Sequence, residues 1–201
     1  MIVGVSGKIG SGKTTVTQHL IKNLPHKFVE CSFAYKVKQI ASILCELPME
    51  DMISQEGKNK RLDAFGGITV GQLQQIIGTD MFRQRFSEDV WITSMFLGYK
   101  PGYYWIVSDV RFKNEADHIR KMGGILIRLE GDPAGVRAAS KRDLNHPSET
   151  DLDDYEHFDI VMKTLPGECG KAKLGILTDA LQNMIENPSI YKNGDKPFLK
   201  M

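Results

Sequence analysis

Eight residues near the start of the chain, Gly7-Lys8-Ile9-Gly10-Ser11-Gly12-Lys13-Thr14, fit the spacing Gly-x4-Gly-Lys-Thr. Glycines so placed let the backbone curl until several N–H groups point at one anion. A helix starting at the end of the loop adds its dipole. Such a loop cradles nucleotide phosphates. Gly7, Gly10, Ser11, Gly12, Lys13, Thr14 and Thr15 are therefore the candidate contacts to ATP. Lys13 would reach the β- and γ-phosphates, and the Thr14 hydroxyl would hold Mg²⁺. The chemistry is phosphoryl transfer, or nucleotide binding without turnover.

Further along stand the groups that such chemistry needs. Asp109 ends an apolar run, where P-loop proteins keep an acid for Mg²⁺ or its water; the alternative is a cap on the next turn. Arg111 follows two residues later and would neutralise charge on the moving phosphoryl group. With Glu115 it could equally form a surface ion pair of little energetic weight. Arg137, Lys141 and Arg142 share one side of a helix at i, i+4 and i+5. They suit a basic lid that closes over ATP and excludes water, although a charge run can also be a solvated face. Lys13, Asp109, Arg111 and Arg142 are the candidate catalytic residues, and Arg137 a further ATP contact. His146, Ser148 and Glu149 do not make a catalytic triad, because all three sit in one short loop.

These residues need a scaffold that brings distant loops together. Ile2 to Val5 reads as a buried strand, and Val16, Leu20, Ile21 and Leu24 lie at helical spacing after the loop. Lys27 to Cys31, Tyr103 to Val107, Ile125 to Leu129 and Phe158 to Met162 read as further strands, with helical patterns between them. This alternation predicts an α/β, three-layer P-loop fold, a five-stranded parallel sheet with helices on both faces. Its ligands would sit at the carboxyl ends of the strands. The P-loop, Ser32-Phe33-Ala34, Ser108-Asp109 and the segment after Leu129 all fall there. Thr69 is placed to cap a helix ending at Gly78. A second helical pattern runs through Phe82, Phe86 and Trp91 to Phe96. Residues 48–68 read as a mobile loop, and residues 187–201 as a polar tail.

A chain of 201 residues suits one such domain. Its formal charge of +1 gives no case for binding a nucleic-acid polymer or a membrane surface. No stretch approaches the length of a membrane span. Cys31, Cys45 and Cys169 lack metal or redox spacing. Their odd number, with no leader-like start, predicts a reducing, cytoplasmic setting. The absence of an Asn-Lys-x-Asp signature counts against a GTPase.

Four motifs in order sharpen this reading. The P-loop is followed by Leu73-Gln74-Gln75-Ile76-Ile77-Gly78-Thr79-Asp80 with Arg83 and Asp89-Val90-Trp91-Ile92. Then come Ser108-Asp109-Val110-Arg111-Phe112-Lys113-Asn114-Glu115-Ala116 and His146-Pro147-Ser148-Glu149. Together they resemble the deoxynucleoside monophosphate kinases of phages and large DNA viruses. The resemblance implies MgATP as donor, a deoxynucleoside 5′-monophosphate as acceptor, and a homodimer as one option. It implies a core of residues 1–33, 103–131 and 157–186, an acceptor-binding insertion at 34–98 and a lid at 132–156, all in one domain spanning 1–186. Gln75, Gly78, Thr79, Arg83 and Trp91 would lie against the acceptor, Lys38 would face its phosphate, and Asp109 and Arg111 would sit near both phosphates. Trp91 has a face for a base, with a core tryptophan the equal alternative, and Arg83 has the fork for phosphate. Relatives often carry a basic residue in mid-loop, where this chain has Gly10. Acceptor contacts could therefore move to Lys60 or Arg61. A dephospho-coenzyme A kinase has a similar P-loop, but its acidic stretch after the second strand is replaced here by Ser32-Phe33-Ala34-Tyr35-Lys36. A non-catalytic regulatory nucleotide-binding protein is the third alternative.

Overall fold

The first apolar run, Ile2–Gly7 (β1), is buried at every residue and forms the middle of a parallel sheet. The computed structural model describes residues 1–138, 143–188 and 199–200. The other strands are β2 (Phe28–Cys31), β3 (Arg61–Leu62), β4 (Ile68–Thr69), β5 (Tyr104–Val110), β6 (Ile125–Glu130), β7 (Ile160–Lys163) and β8 (Leu199–Lys200). The helices are α1 (Lys13–Asn23), α2 (Tyr35–Cys45), α3 (Met49–Ile53), α4 (Gln55–Lys58), α5 (Val70–Gln75), α6 (Val90–Phe96), α7 (Lys113–Lys121), α8 (Pro147–Thr150) and α9 (Gly167–Glu186).

The sheet order is β2-β5-β1-β6-β7-β8, with every pairing parallel. All five expected strands are present, and the two-residue β8 extends the sheet beyond β7, inside what reads as a polar tail. The period-2 alternation of a strand divides the core between two faces. Val3, Val5, Ile106, Ile125, Ile127 and Leu129 point to one side, where Val16 and Leu20 of α1 and Leu177 and Leu181 of α9 cover them. Ile2, Val107 and Leu126 point to the other, beneath Val37, Leu73, Trp91 and Ile119. This is the three-layer P-loop architecture.

Two stretches differ from the sequence expectation. Residues 48–68 are built rather than loop-like: α3 and α4 are followed by the β3–β4 hairpin. Met52 at 0% exposure anchors them in the core, and Lys60 Nζ meets both Asp51 carboxylate oxygens at 2.7 Å. Met52, with Met49, Leu62 and Ile68 packed against the same core, and the Lys60–Asp51 ion pair hold a segment whose short elements leave no periodicity to read. The helix capped by Thr69 begins as expected, with a reciprocal pair from Gln72 N to Thr69 Oγ1 (3.2 Å) and from Thr69 N to Gln72 Oε1 (2.8 Å). It does not stop at Gly78. It widens into a π-helical segment, Ile76–Arg83. Gln84 N donates to Thr79 O across this wider turn, and the Gly78 carbonyl accepts from Trp91 Nε1 at 2.7 Å. A tertiary partner for that carbonyl lets the coil continue past a residue that often ends one.

All three cysteines are free thiols. Among the described residues no helix is long and apolar enough to cross a membrane.

Candidate active site

Two glycines shape the P-loop. Gly10 and Gly12 hold φ of 81° and 83°, the left-handed region that disfavours a Cβ. Gly12 caps α1 without any side-chain hydrogen bond, and no acid occupies the helix's first turn. The amides at this end therefore have no anionic side chain of their own. Lys13 Nζ folds back onto the Gly7 carbonyl and onto the Lys8 carbonyl at 2.9 Å, while Thr14 and Thr15 are exposed on the first turn. Ser11 is buried against Gly7.

The centre of the loop is also packed from outside. A Cβ on Gly10 would fall on the Asp132 carboxylate. That carboxylate accepts the Val136 and Arg137 amides, both at 2.9 Å. The Arg137 guanidinium donates to Ile9 O from Nε and Nη2, each at 3.3 Å, and to Gly131 O at 2.9 Å. The start of the expected lid is thus seated on the P-loop, and a side chain at position 10 would meet it. Lys141 and Arg142 lie outside the described residues.

Asp109, near the end of β5, ties two strand-end loops together. It accepts from Ser32 Oγ (2.7 Å), Phe33 N (2.9 Å) and Ala34 N (3.0 Å). Arg111 donates from Nη1 to the Ser148 carbonyl at 2.8 Å and to the Glu149 carboxylate. Glu149 in turn accepts the Ile9 amide of the P-loop at 3.1 Å. Burial alone would lower the Arg111 pKa, but Glu149, Asp109 and Glu115 hold it above its ordinary value. The surface ion pair expected between Arg111 and Glu115 is not formed. Glu115 is 2% exposed and instead accepts the Arg111 and Phe112 amides at 2.7 and 3.1 Å and the Arg83 guanidinium. Burial pushes its carboxyl up to about 7.

The acceptor-side candidates divide into two groups. Gln75, Gly78 and Thr79 lie on the helical stretch beside α2, and Gln75 Nε2 reaches the Asp143 carbonyl at 3.1 Å. Lys38, half-buried on α2, has no side-chain hydrogen bond or ion pair among the described residues. Arg83 and Trp91 are buried braces: Arg83 sits 4.0 Å over the Phe112 ring and bonds Glu88 O, and Trp91 is 4% exposed beside Phe82. Arg61 stands apart on the hairpin, 74% exposed and 3.4 Å from Asp63.

Two features escape the sequence reading. Glu149 is read there as part of the His146-Pro147-Ser148-Glu149 motif and as a rejected triad member, with no role of its own. The loop after β7 is the second: with Gly12, Thr15 and Pro133, its residues Thr164 and Pro166 line a cavity of about 340 Å³ beside the P-loop. Its position at a strand's carboxyl end was the available signal.

No protein-family model matches the chain. Among solved structures, shikimate kinase from Acinetobacter baumannii in complex with shikimate is 14% identical, covering 90% of this chain and 93% of that one with a TM-score of 0.41. Shikimate kinase from Bacteroides thetaiotaomicron is 12% identical, with coverages of 92% and 98% and a TM-score of 0.39. The fold assignment rests on the strand order and the P-loop, not on these scores. A curated protein of Acanthamoeba polyphaga mimivirus, "Putative deoxynucleotide monophosphate kinase", is 34% identical over 176 residues, 81% of this chain and 87% of its own length. With that identity along most of both chains, over a parallel sheet whose first strand leads into the P-loop, the chain belongs to the deoxynucleoside monophosphate kinase family.

Proposed function

We propose that this chain transfers the γ-phosphoryl group of MgATP to the 5′-phosphate of a deoxynucleoside monophosphate. The observation that carries the reading is the convergence of an uncapped helix start at Gly12 and a buried, loop-linked Arg111 on one end of the sheet. The residues present fit a triphosphate. The start of α1 has no side-chain cap and no acid in its first turn, Lys13 lies on the carbonyls of the loop itself, and the neighbouring cavity has room for a flat base.

Thr14 and Asp109 are the residues that would hold Mg²⁺, directly or through water. The ion supplies neutralisation of the charge shared between β- and γ-phosphates. Asp109 already accepts three hydrogen bonds, so its remaining lone pairs suit a metal-bound water. Arg111 and Lys13 would stabilise the equatorial charge of the moving group, joined by Arg142 when the lid closes. Arg137 holds the lid's base on the loop. An oxygen of the acceptor phosphate attacks the γ-phosphorus, and the bond to the β–γ bridging oxygen breaks, leaving ADP with the electron pair. No general base is required, because a phosphate monoester with a second pKa of about 6 is largely dianionic at neutral pH.

On the acceptor side, Gln75, Gly78 and Thr79 are read as the surface that meets the nucleoside, and Lys38 as the phosphate contact. Trp91 and Arg83 hold that surface in place, and Arg61 contributes only if the hairpin moves inward. Within the lid span of residues 132–156, Leu152 is buried in the core and stays with it. An ADP-release assay over all deoxy- and ribonucleoside monophosphates and dephospho-coenzyme A tests the reading. Turnover with one or more deoxynucleoside monophosphates is expected. Turnover confined to dephospho-coenzyme A, or none with any acceptor, overturns it.

A further inference from the structure

Four buried charged side chains run in one line from the P-loop to the acceptor segment. Glu149 Oε2 takes the Ile9 amide at 3.1 Å, and Oε1 takes Arg111 Nη1. The Arg111 amide donates to Glu115 Oε2 at 2.7 Å, and Glu115 Oε1 takes Arg83 Nη2. Their side chains are 2% (Glu149), 19% (Arg111), 2% (Glu115) and 6% (Arg83) exposed. Desolvating two ion pairs is costly, and apolar packing of the same volume is often as stable. What apolar packing cannot do is fix a guanidinium relative to a loop amide. Arg111 spends Nη1 on Ser148 O and Glu149, while its Nε and Nη2 have no partner among the described residues. The arginine is therefore held by one corner with donors to spare.

We propose that Glu149 is a positioning residue for phosphoryl transfer: a single carboxylate sets both the P-loop at Ile9 and the guanidinium of Arg111, and so fixes the distance between the loop that carries the donor and the arginine that meets the moving group. This rests on the kinase reading above. Glu149 touches neither nucleotide and acts through Arg111. Misplacing such a group by about 1 Å can cost about 100-fold in rate.

The test is a double-mutant cycle on the full chain. Glu149→Gln is expected to lower kcat by about 100-fold, with the KM of the best deoxynucleoside monophosphate changed less than about threefold, since the acceptor segment is untouched. Arg111→Gln should lose at least as much. The double variant should stay within about threefold of Arg111→Gln alone, because both changes remove one device. Multiplicative losses, or a Glu149→Gln enzyme within twofold of wild type, overturn the proposal. Glu149→Asp keeps the charge but is one methylene too short to reach both partners. It should lose kcat with little change in Tm, and loss of Tm with unchanged kcat would mark a merely structural role. Calorimetry with MgAMP-PNP reads the same cycle without turnover, so it remains decisive even if wild type transfers to no acceptor. Each single variant should weaken the analogue about fivefold, the loss of about 1 kcal/mol of hydrogen bonding. The double variant should be no weaker. Unchanged affinity in the singles overturns the proposal.

Discussion

Lys13 and Gly10 sit three positions apart in the P-loop yet should fail differently when changed. Lys13 bonds the Gly7 and Lys8 carbonyls of its own loop, and Lys13→Ala should cost about 1 kcal/mol of stability. Its loss should lower kcat about 100- to 1000-fold, the usual effect of removing one donor to developing charge. An unchanged rate in a steady-state assay would remove Lys13 from the chemistry. Gly10 carries no chemistry, but a side chain there meets both a left-handed backbone and the Asp132 carboxylate. Gly10→Ala should therefore destabilise by about 1–2 kcal/mol from backbone strain, with a further loss from displacing Asp132. Asp132→Ala should recover the second part and not the first, which thermal unfolding of the three variants can separate. The P-loop was legible because its signal is contiguous: eight neighbouring residues state the chemistry. Glu149 was not, because its meaning depends on Ile9, which lies 140 positions away in sequence. Spacing within the His-Pro-Ser-Glu stretch carries no trace of that partner.

The secondary elements show the same division. Strands and long helices were legible wherever one face is apolar, because burial imposes a period that the sequence must obey. The stretch from residue 48 to 68 escaped because each of its elements is shorter than a readable period. The π-helical segment escaped for another reason. Gly78 looks like a stop, and the Trp91 indole, arriving from α6 with a hydrogen bond to its carbonyl, has no trace in the local spacing. This gives a prediction about the element itself. Trp91→Phe keeps the buried ring but removes the indole hydrogen bond to the Gly78 carbonyl, at a cost of about 0.5–1.5 kcal/mol. The segment should loosen where the acceptor is proposed to lie, so the acceptor KM should rise several-fold. MgAMP-PNP affinity should stay as in wild type, because Trp91 packs on the face of the sheet opposite α1. An equal loss of affinity on both sides, measured by calorimetry, would show that Trp91 supports the whole core and has no special relation to the acceptor segment.

In the whole molecule, the parallel sheet brings loops from across the sequence to one end, and the alternation of strands and helices made that much readable. How the segment around Arg83 is tied to the start of α7 was not readable, because one tie is a buried pair, Arg83 with Glu115, between positions 32 apart. The pair makes stability depend on pH in an unusual direction. An acid normally gains from folding when its pKa is lowered. Burial instead raises the Glu115 carboxyl from 4.5 to about 7, with Arg83 and the Arg111 and Phe112 amides pulling the other way. Between those two values the folded protein holds a proton that the unfolded chain has released. Raising the pH through that window therefore favours unfolding, and the loss is complete only above about 7. Glu115→Gln removes the titration and keeps the shape. Denaturant unfolding at pH 5, 6, 7 and 8 should show wild type losing stability relative to this variant as the pH rises to 7, then running parallel with it. The comparison cancels every other titrating group the two proteins share. If the difference instead stays constant across the series, Glu115 is ionised throughout in the folded state. Arg83 and the two amides then outweigh its burial, and the Arg83–Glu115 tie is a permanent ion pair that pH does not loosen.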